Sequence, residues 1–328
     1  MNTNLHGDAT ARRARLRGRC CRRLAFNLCG AGGSDMSERP IWEREGRDWP
    51  NRQHSRFVRA AGLRWHVQLA GSGPALLLVH GTGAATHSWR GLLGLLAQDF
   101  TVIAPDLPGH GFTDTPPSAR LSLPGMARDL TELLHTLGIR PELVVGHSAG
   151  AAILARMCLD GDIAPRALVS LNGAMLPLRG VPGHIFSPIA RLVVSLPLTR
   201  RIFAWQAADR RVVERMLRST GSTIEPAGVE QYVRIARTPA HAGAALAMMA
   251  NWDLRPLEQD LPRLRTPLLL ITGSNDRTIP PSDSVRVQAL VAGAQLVSLP
   301  GLGHLAHEEQ PARIAALVLR FATAAAAA

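Results

Sequence analysis

The chain has 328 residues, 46% of them hydrophobic, and a formal net charge of +12, which suits one large globular domain or one domain with an insertion. It contains no Lys, so all 37 basic residues are Arg; without a Walker A or Schiff-base lysine, P-loop nucleotide hydrolysis and pyridoxal phosphate chemistry are disfavoured. No stretch reaches the ~18 uninterrupted apolar residues of a membrane span, and aromatic residues at 4% give no stacking platform for nucleic acid.

Residues 1–35 hold seven Arg against Asp8 and Asp35, together with three of the four Cys. They lack a continuous apolar region and so read poorly as a secretory signal. A disordered basic tail, a transit-like peptide and translated sequence ahead of the true start all fit. The expected start is Met36, which opens MSERPIWEREGRDWPN. Beyond this segment only Cys158 remains, so no disulfide framework is expected and a reducing cytoplasm is the default location.

From residue 56, RFVRAAGLRWHVQLAG alternates around Ala61-Gly62 and predicts an antiparallel hairpin. PALLLVHG predicts a buried strand ending at His80-Gly81. HSWRGLLGLLAQDF predicts an amphipathic helix, and TVIAPDLPGHG a further strand and loop. LSLPGMARDLTELLHTLG predicts a helix capped by Gly138. The short β-branched run at 142–147 predicts a strand, the Ala- and Leu-rich 149–159 a helix, and RALVSLNGAM another strand. TPLLLITGSND, SDSVRVQALVAG, AQLVSLPGLGH and PARIAALVLRFATA then alternate strand and helix before an Ala tail that frays.

This alternation predicts an α/β fold with a mostly parallel eight-stranded sheet covered on both faces. The stretch 176–261 is too long for a loop and has helical spacings with Pro interruptions. It is read as a helical lid inserted between a first core part, 36–175, and a second, 262–328. The lid is rich in Arg, which would suit an anionic substrate or peripheral contact with an acidic membrane. Solvated Arg on helix backs is the plainer account of most of them.

The chemistry centres on Gly146-His147-Ser148-Ala149-Gly150. A strand that turns directly into a helix strains the turn residue, requires small neighbours two positions either side, and exposes the hydroxyl at the top of the sheet. A serine needs a base and the base an orienting acid. Asp276 in GSNDRTIPP and His304 in PGLGHLAHEEQP each follow a strand, at the carboxyl edge where such sheets place their ligands. The chain order Ser148, Asp276, His304 is that of the α/β-hydrolase nucleophile, acid and base. Among rivals, Asp283 reads as a helix N-terminal charge, His307 as structural, and Asn172 is not ionisable. The oxyanion site is expected at the N–H groups of Ala149 and Thr82, with Gly83 adjacent. Trp89, Met248, Met249 and Trp252 are pocket candidates, with core packing an equal account. His110 and His147 read as packing residues and Asp106 as bonding its own turn. The twelve His form no metal-ligand spacing, and no cofactor is expected.

Together HGTG, DLPGHG, GHSAG, GSNDRTIP and GLGHLAHEEQP resemble the α/β-hydrolase superfamily over residues 56–323. More narrowly, GRDWPNRQHSRFV, GLRWHVQ, VHGTGAATHSWRGL, LSLPGMARDL, GHSAGAAILARM and HAGAALAMMANWDL resemble the BchO-type magnesium-chelatase accessory proteins of bacteriochlorophyll biosynthesis. The likeness extends through the lid and the segment before the first strand, where superfamily members differ most, and departs at residues 1–35. It implies a pathway handling magnesium porphyrins but does not itself supply a substrate. With that pathway in view, a tetrapyrrole is the candidate small-molecule substrate, magnesium-chelatase subunits are candidate partners, and the cytoplasmic location expected above would extend to peripheral contact with photosynthetic membranes.

The leading expectation is therefore a serine hydrolase acting on an ester of a tetrapyrrole. The alternatives are a non-catalytic porphyrin-binding or chelatase accessory protein, and a C–C bond hydrolase or general esterase.

Overall fold

The computed structural model divides the chain between Asp35 and Met36 and describes residues 38–177 and 196–327. The expectations for residues 1–35, for a start at Met36 and for 178–195 lie outside these residues. Eight strands form one sheet: Ser55–Ala60 (β1), Leu63–Ala70 (β2), Ala75–Val79 (β3), Thr101–Pro105 (β4), Leu143–His147 (β5), Ala167–Leu171 (β6), Leu268–Gly273 (β7) and Gln295–Leu299 (β8). Their order is β1-β2-β4-β3-β5-β6-β7-β8. The β1/β2 and β2/β4 pairs are antiparallel, and the rest are parallel. Ala61 and Gly62 both have positive φ, 52° and 74°, the two-residue turn whose twist matches that of the hairpin strands.

The strands are near-continuous apolar runs because both faces of the sheet are covered. Successive side chains point to opposite faces, and each strand divides its residues between two cores accordingly. Leu77, Val79, Ile103, Val144, Leu168 and Leu270 enter one core. Their chain neighbours Leu76, Leu78, Val102, Val145, Val169 and Ile271 enter the other.

The helices of the first half are Trp42–Glu45 (α1), Leu93–Leu96 (α2), Leu123–Leu137 (α3) and Ala149–Asp160 (α4). The first core is closed by Met126, Leu130 and Leu133 of α3 and Ile153, Leu154 and Met157 of α4. Gly138 ends α3 at φ 65°, and its N–H returns to Leu134 and His135 carbonyls, the left-handed cap expected there.

One expectation changes. The segment predicted as a single amphipathic helix, HSWRGLLGLLAQDF, is a 3₁₀ turn at Thr86–Trp89 followed by the single turn α2. Gly91 and Gly94 weaken helix propagation, and a Cβ on Gly91 would lie 2.8 Å from the Pro311 Cγ. The apolar pattern was read correctly even so, since Trp89, Leu92, Leu93 and Leu96 are all fully buried.

Between β6 and β7 the described residues form five helices: Pro197–Ala207 (α5), Arg210–Ser219 (α6), Pro226–Ala236 (α7), Pro239–Ala250 (α8) and Arg255–Asp260 (α9). Four of them have Pro in the first turn, where its missing N–H costs nothing. Asp209 caps α6 by accepting the Arg211 N–H. The chain then returns to the sheet through Pro281–Leu290 (α10), Ala306–Glu309 (α11) and Pro311–Ala327 (α12). Ile314, Val318 and Phe321 of α12 cover the second core.

Candidate active site

Ser148 is the single residue between β5 and α4, at φ 51° and ψ −118°, a region that costs an L-residue about 1–3 kcal/mol. Three backbone hydrogen bonds hold it there. Its N–H donates to Leu171 C=O (3.0 Å), and its own C=O accepts from Ala151 N–H (3.1 Å) and Ala174 N–H (3.0 Å). The flanking glycines are steric requirements: a Cβ on Gly146 would strike the Ala151 backbone, and one on Gly150 the Val79 carbonyl. Gly81 of the loop after β3 passes so close that its Cβ would lie 2.9 Å from the Ser148 Cβ. The Ser148 side chain is partly exposed, while Ala149 and Gly150 beside it are buried.

Asp276 and His304 follow β7 and β8 and are both buried. The His304 ring nitrogen Nδ1 lies 2.8 Å from Asp276 Oδ2. Since a carboxylate only accepts, Nδ1 carries the proton and the Nε2 lone pair is left free. The same Oδ2 accepts from Asn172 Nδ2 (2.8 Å), and Oδ1 accepts the N–H groups of Thr278 (2.8 Å) and Ile279 (2.9 Å). Asn172, at the end of β6, has φ 46° and is pinned by its N–H to Ile271 C=O. It was weighed in the sequence only as an acid; the structure makes it a donor to the acid.

His147 does more than pack. Burial lowers its pKa well below the usual histidine value, so the ring is neutral, and its Nε2 lies 2.9 Å from His304 C=O. Its ring lies tilted against those of His304 and His307, with centroids 4.8 Å and 4.4 Å away. The residue before Ser148 thus anchors the loop that carries His304.

Among the described residues neither Thr82 nor Ala149 uses its backbone N–H in a hydrogen bond. The loop bearing Thr82 is held from three sides. His80 Nδ1–H donates to Gly81 C=O (2.8 Å) while its Nε2 accepts Leu107 N–H (2.9 Å). Asp106 Oδ1 accepts Thr86 N–H (2.7 Å), and Oδ2 accepts from Phe112 N–H (2.9 Å) and His66 Nδ1 (2.8 Å). Burial alone would raise the Asp106 carboxyl, but the His66 ring beside it and the donated N–H hold it well below the usual range. Asp106 therefore ties three segments together, beyond its own turn.

The third support comes from α8. His241 Nδ1 accepts Gly111 N–H (3.1 Å), so its proton is on Nε2, which donates to Gly83 C=O (3.2 Å). Burial brings its pKa down to about 4, which keeps it neutral. It opens the HAGAALAMMANWDL stretch, but its partners lie 130 and 158 residues away, so nothing local to the sequence shows what it supports.

The pocket candidates divide. Met248 is fully buried, and its Sδ accepts the Thr82 hydroxyl at 3.4 Å. Trp252 is partly buried against the first core. Trp89 is buried in the second core with its ring against His307, and Met249 is 58% exposed. A cavity of about 390 Å³ lies away from this edge, lined by His135, Arg140 and Asp162 at the C-terminal ends of α3 and α4. Among the described residues no group of three His, Cys, Asp or Glu is arranged to hold a metal ion.

Residues 74–311 match the alpha/beta hydrolase fold family, and the chain belongs to that family. It is 38% identical over 274 residues, 83% of this chain and 95% of the other, to the magnesium-chelatase 30 kDa subunit of Rhodobacter capsulatus. It is 27% identical to the 2-hydroxy-6-oxo-2,4-heptadienoate hydrolase of Pseudomonas putida, covering 79% of this chain and 93% of that enzyme. Among solved structures, an alpha/beta hydrolase fold protein of Burkholderia ambifaria superposes with a TM-score of 0.67 at 26% identity, over 81% of this chain and 100% of its own.

Proposed function

We propose that this protein is a serine hydrolase working through a covalent acyl-enzyme. Ser148 attacks a carbonyl carbon, and His304 Nε2 takes the hydroxyl proton. Asp276 holds the imidazolium that forms. The oxyanion of the tetrahedral intermediate is received by the Thr82 and Ala149 N–H groups. His304 then gives its proton to the leaving group, and water repeats the sequence to release the acid. The observation that carries this reading is Ser148 itself. Three backbone bonds hold it in a costly conformation at the strand edge that also bears the His304–Asp276 pair.

For the substrate we propose an ester, or a related carbonyl bond, of a tetrapyrrole in bacteriochlorophyll biosynthesis. The support is the 38% identity to a protein named for magnesium chelatase. A second reading, cleavage of a carbon–carbon bond next to a carbonyl, is favoured by the similarity to the heptadienoate hydrolase. An accessory role beside chelatase subunits, without hydrolysis, is the third.

One comparison separates them: hydrolysis of porphyrin propionate esters, simple acyl esters and a vinylogous diketone by wild type and Ser148→Ala. The proposal predicts turnover of a porphyrin ester that falls by at least about 10³ in Ser148→Ala. Turnover confined to the diketone would favour the second reading. Porphyrin binding without turnover, equal in both proteins, would favour the third.

A further inference from the structure

The helical insertion is built the wrong way round for a surface that faces only water. A solvent-facing helix buries its apolar stripe and exposes its polar one. In α5 the outward stripe is Leu198, Ile202 and Trp205, at i, i+4 and i+7, with exposures of 68%, 45% and 68%. The buried side holds Ala204 and the stem of Arg200. That stem lies across Gly243 of α8, where a Cβ would collide with the Arg200 side chain. Among the described residues the Arg200 Nε is buried there without a partner. A helix that turns an arginine inward and a tryptophan outward is not placed by burial within its own fold.

Single exposed apolar residues need no explanation, but their distribution here does. Among the described residues nine large hydrophobic side chains are exposed. Seven of them lie in the insertion, leaving only Ile41 and Val285 elsewhere.

The next helix adds charge. In α6 Val213 and Leu217 are buried, and Arg211, Arg215 and Arg218 project outward at i, i+4 and i+7 with the half-exposed Met216. Arg210 is taken by Glu214 and Glu230. Among the described residues the three outward Arg form no ion pair. Two consecutive helices thus present an aliphatic–indole stripe and an unneutralised guanidinium stripe.

We infer that α5 and α6 form a docking surface for an anionic lipid bilayer. Leu198, Ile202 and Trp205 enter the headgroup–acyl boundary, and Arg211, Arg215 and Arg218 meet the lipid phosphates. The combination of an interfacial indole, short apolar depth and flanking cations is that of a helix lying in a membrane surface. The cations also decide against a second copy of this chain. An isologous contact on the apolar stripe would bring unpaired Arg of both copies together, on a molecule already at +12. No helix among the described residues is long and apolar enough to cross a membrane, so the contact is peripheral. The inference does not depend on which bond the Ser148 site cleaves.

The test is sedimentation of the full chain with vesicles of phosphatidylcholine, alone or mixed equally with phosphatidylglycerol. It is run on wild type, on Leu198→Ser/Ile202→Ser/Trp205→Ser, and on Arg211→Gln/Arg215→Gln/Arg218→Gln. The wild type is expected to partition onto the mixed vesicles only, and less as salt is raised. Each triple variant is expected to weaken partitioning by roughly tenfold or more at an unchanged thermal midpoint, since every replaced side chain is exposed. The inference is overturned if folded wild type fails to bind mixed vesicles or binds both kinds equally. Undiminished binding by either variant would also overturn it, as would light scattering that shows the apolar variant to be a monomer and the wild type a dimer.

Discussion

At the scale of single residues, the site is a set of hydrogen bonds whose directions are fixed by neutral histidines. His80, His147 and His241 are all lowered below the ordinary histidine value by burial, so each ring has one donor and one acceptor. His80 and His241 use both, on the loop that bears Thr82, a proposed oxyanion donor, and on the DLPGHG loop. His241→Ala would leave Gly111 N–H and Gly83 C=O without partners. Each such buried group costs about 1–3 kcal/mol, and the loop bearing Thr82 would lose its α8 support. The expected result is a lower unfolding midpoint together with a turnover number reduced about tenfold and a nearly unchanged KM, because the proposed oxyanion role of this loop would act on the transition state more than on binding. A variant with lost stability but full turnover would show that His241 serves packing alone.

At the scale of elements, much was legible because strand and helix periods differ and the glycines sit where backbones touch. Gly146 and Gly150 identified the turn around Ser148 through sterics that the structure reproduces as contacts with Ala151 and Val79. The strand ends bearing Asp276 and His304 were legible from apolar runs followed by turn residues. The segment 87–100 was misread as one helix because its apolar spacing outweighed Gly91 and Gly94, and the approach of Pro311 depends on a distant helix. Asn172 and His241 were missed as supports for a related reason: their partners lie more than a hundred residues away. Helix α4 also lends itself to a stability test. Leu154 is fully buried in the first core, on the helix that follows Ser148, so Leu154→Ala is expected to cost about 2–5 kcal/mol in denaturant unfolding. A loss below 1 kcal/mol, a value typical of an exposed site, would contradict the packing described for this face.

At the scale of the whole molecule, six buried histidines, His80, His87, His110, His147, His241 and His307, all have lowered pKa values with burial as the leading cause. Those of His241 and His307 fall to about 4 and about 3. In the unfolded chain each takes up its proton near pH ~6.5. Below that pH the unfolded state binds more protons than the folded one, so stability falls as the pH is lowered. The stabilisation is complete above the unfolded value and is lost progressively on the way down to the folded values. Each such histidine contributes a slope of up to about 1.4 kcal/mol per pH unit. Urea unfolding should therefore weaken steeply between about pH 6.5 and 4, and a flat profile there would mean that these rings are not buried neutral.

The central claim is that Ser148 is a working nucleophile served by His304 and Asp276, and a fluorophosphonate tests it most directly. Purified wild type is expected to gain one phosphonyl adduct, located on Ser148 by peptide mass, while Ser148→Ala gains none. His304→Ala should label far more slowly, because the hydroxyl has lost its base. Labelling of wild type and Ser148→Ala alike, or equal rates in wild type and His304→Ala, would contradict the account.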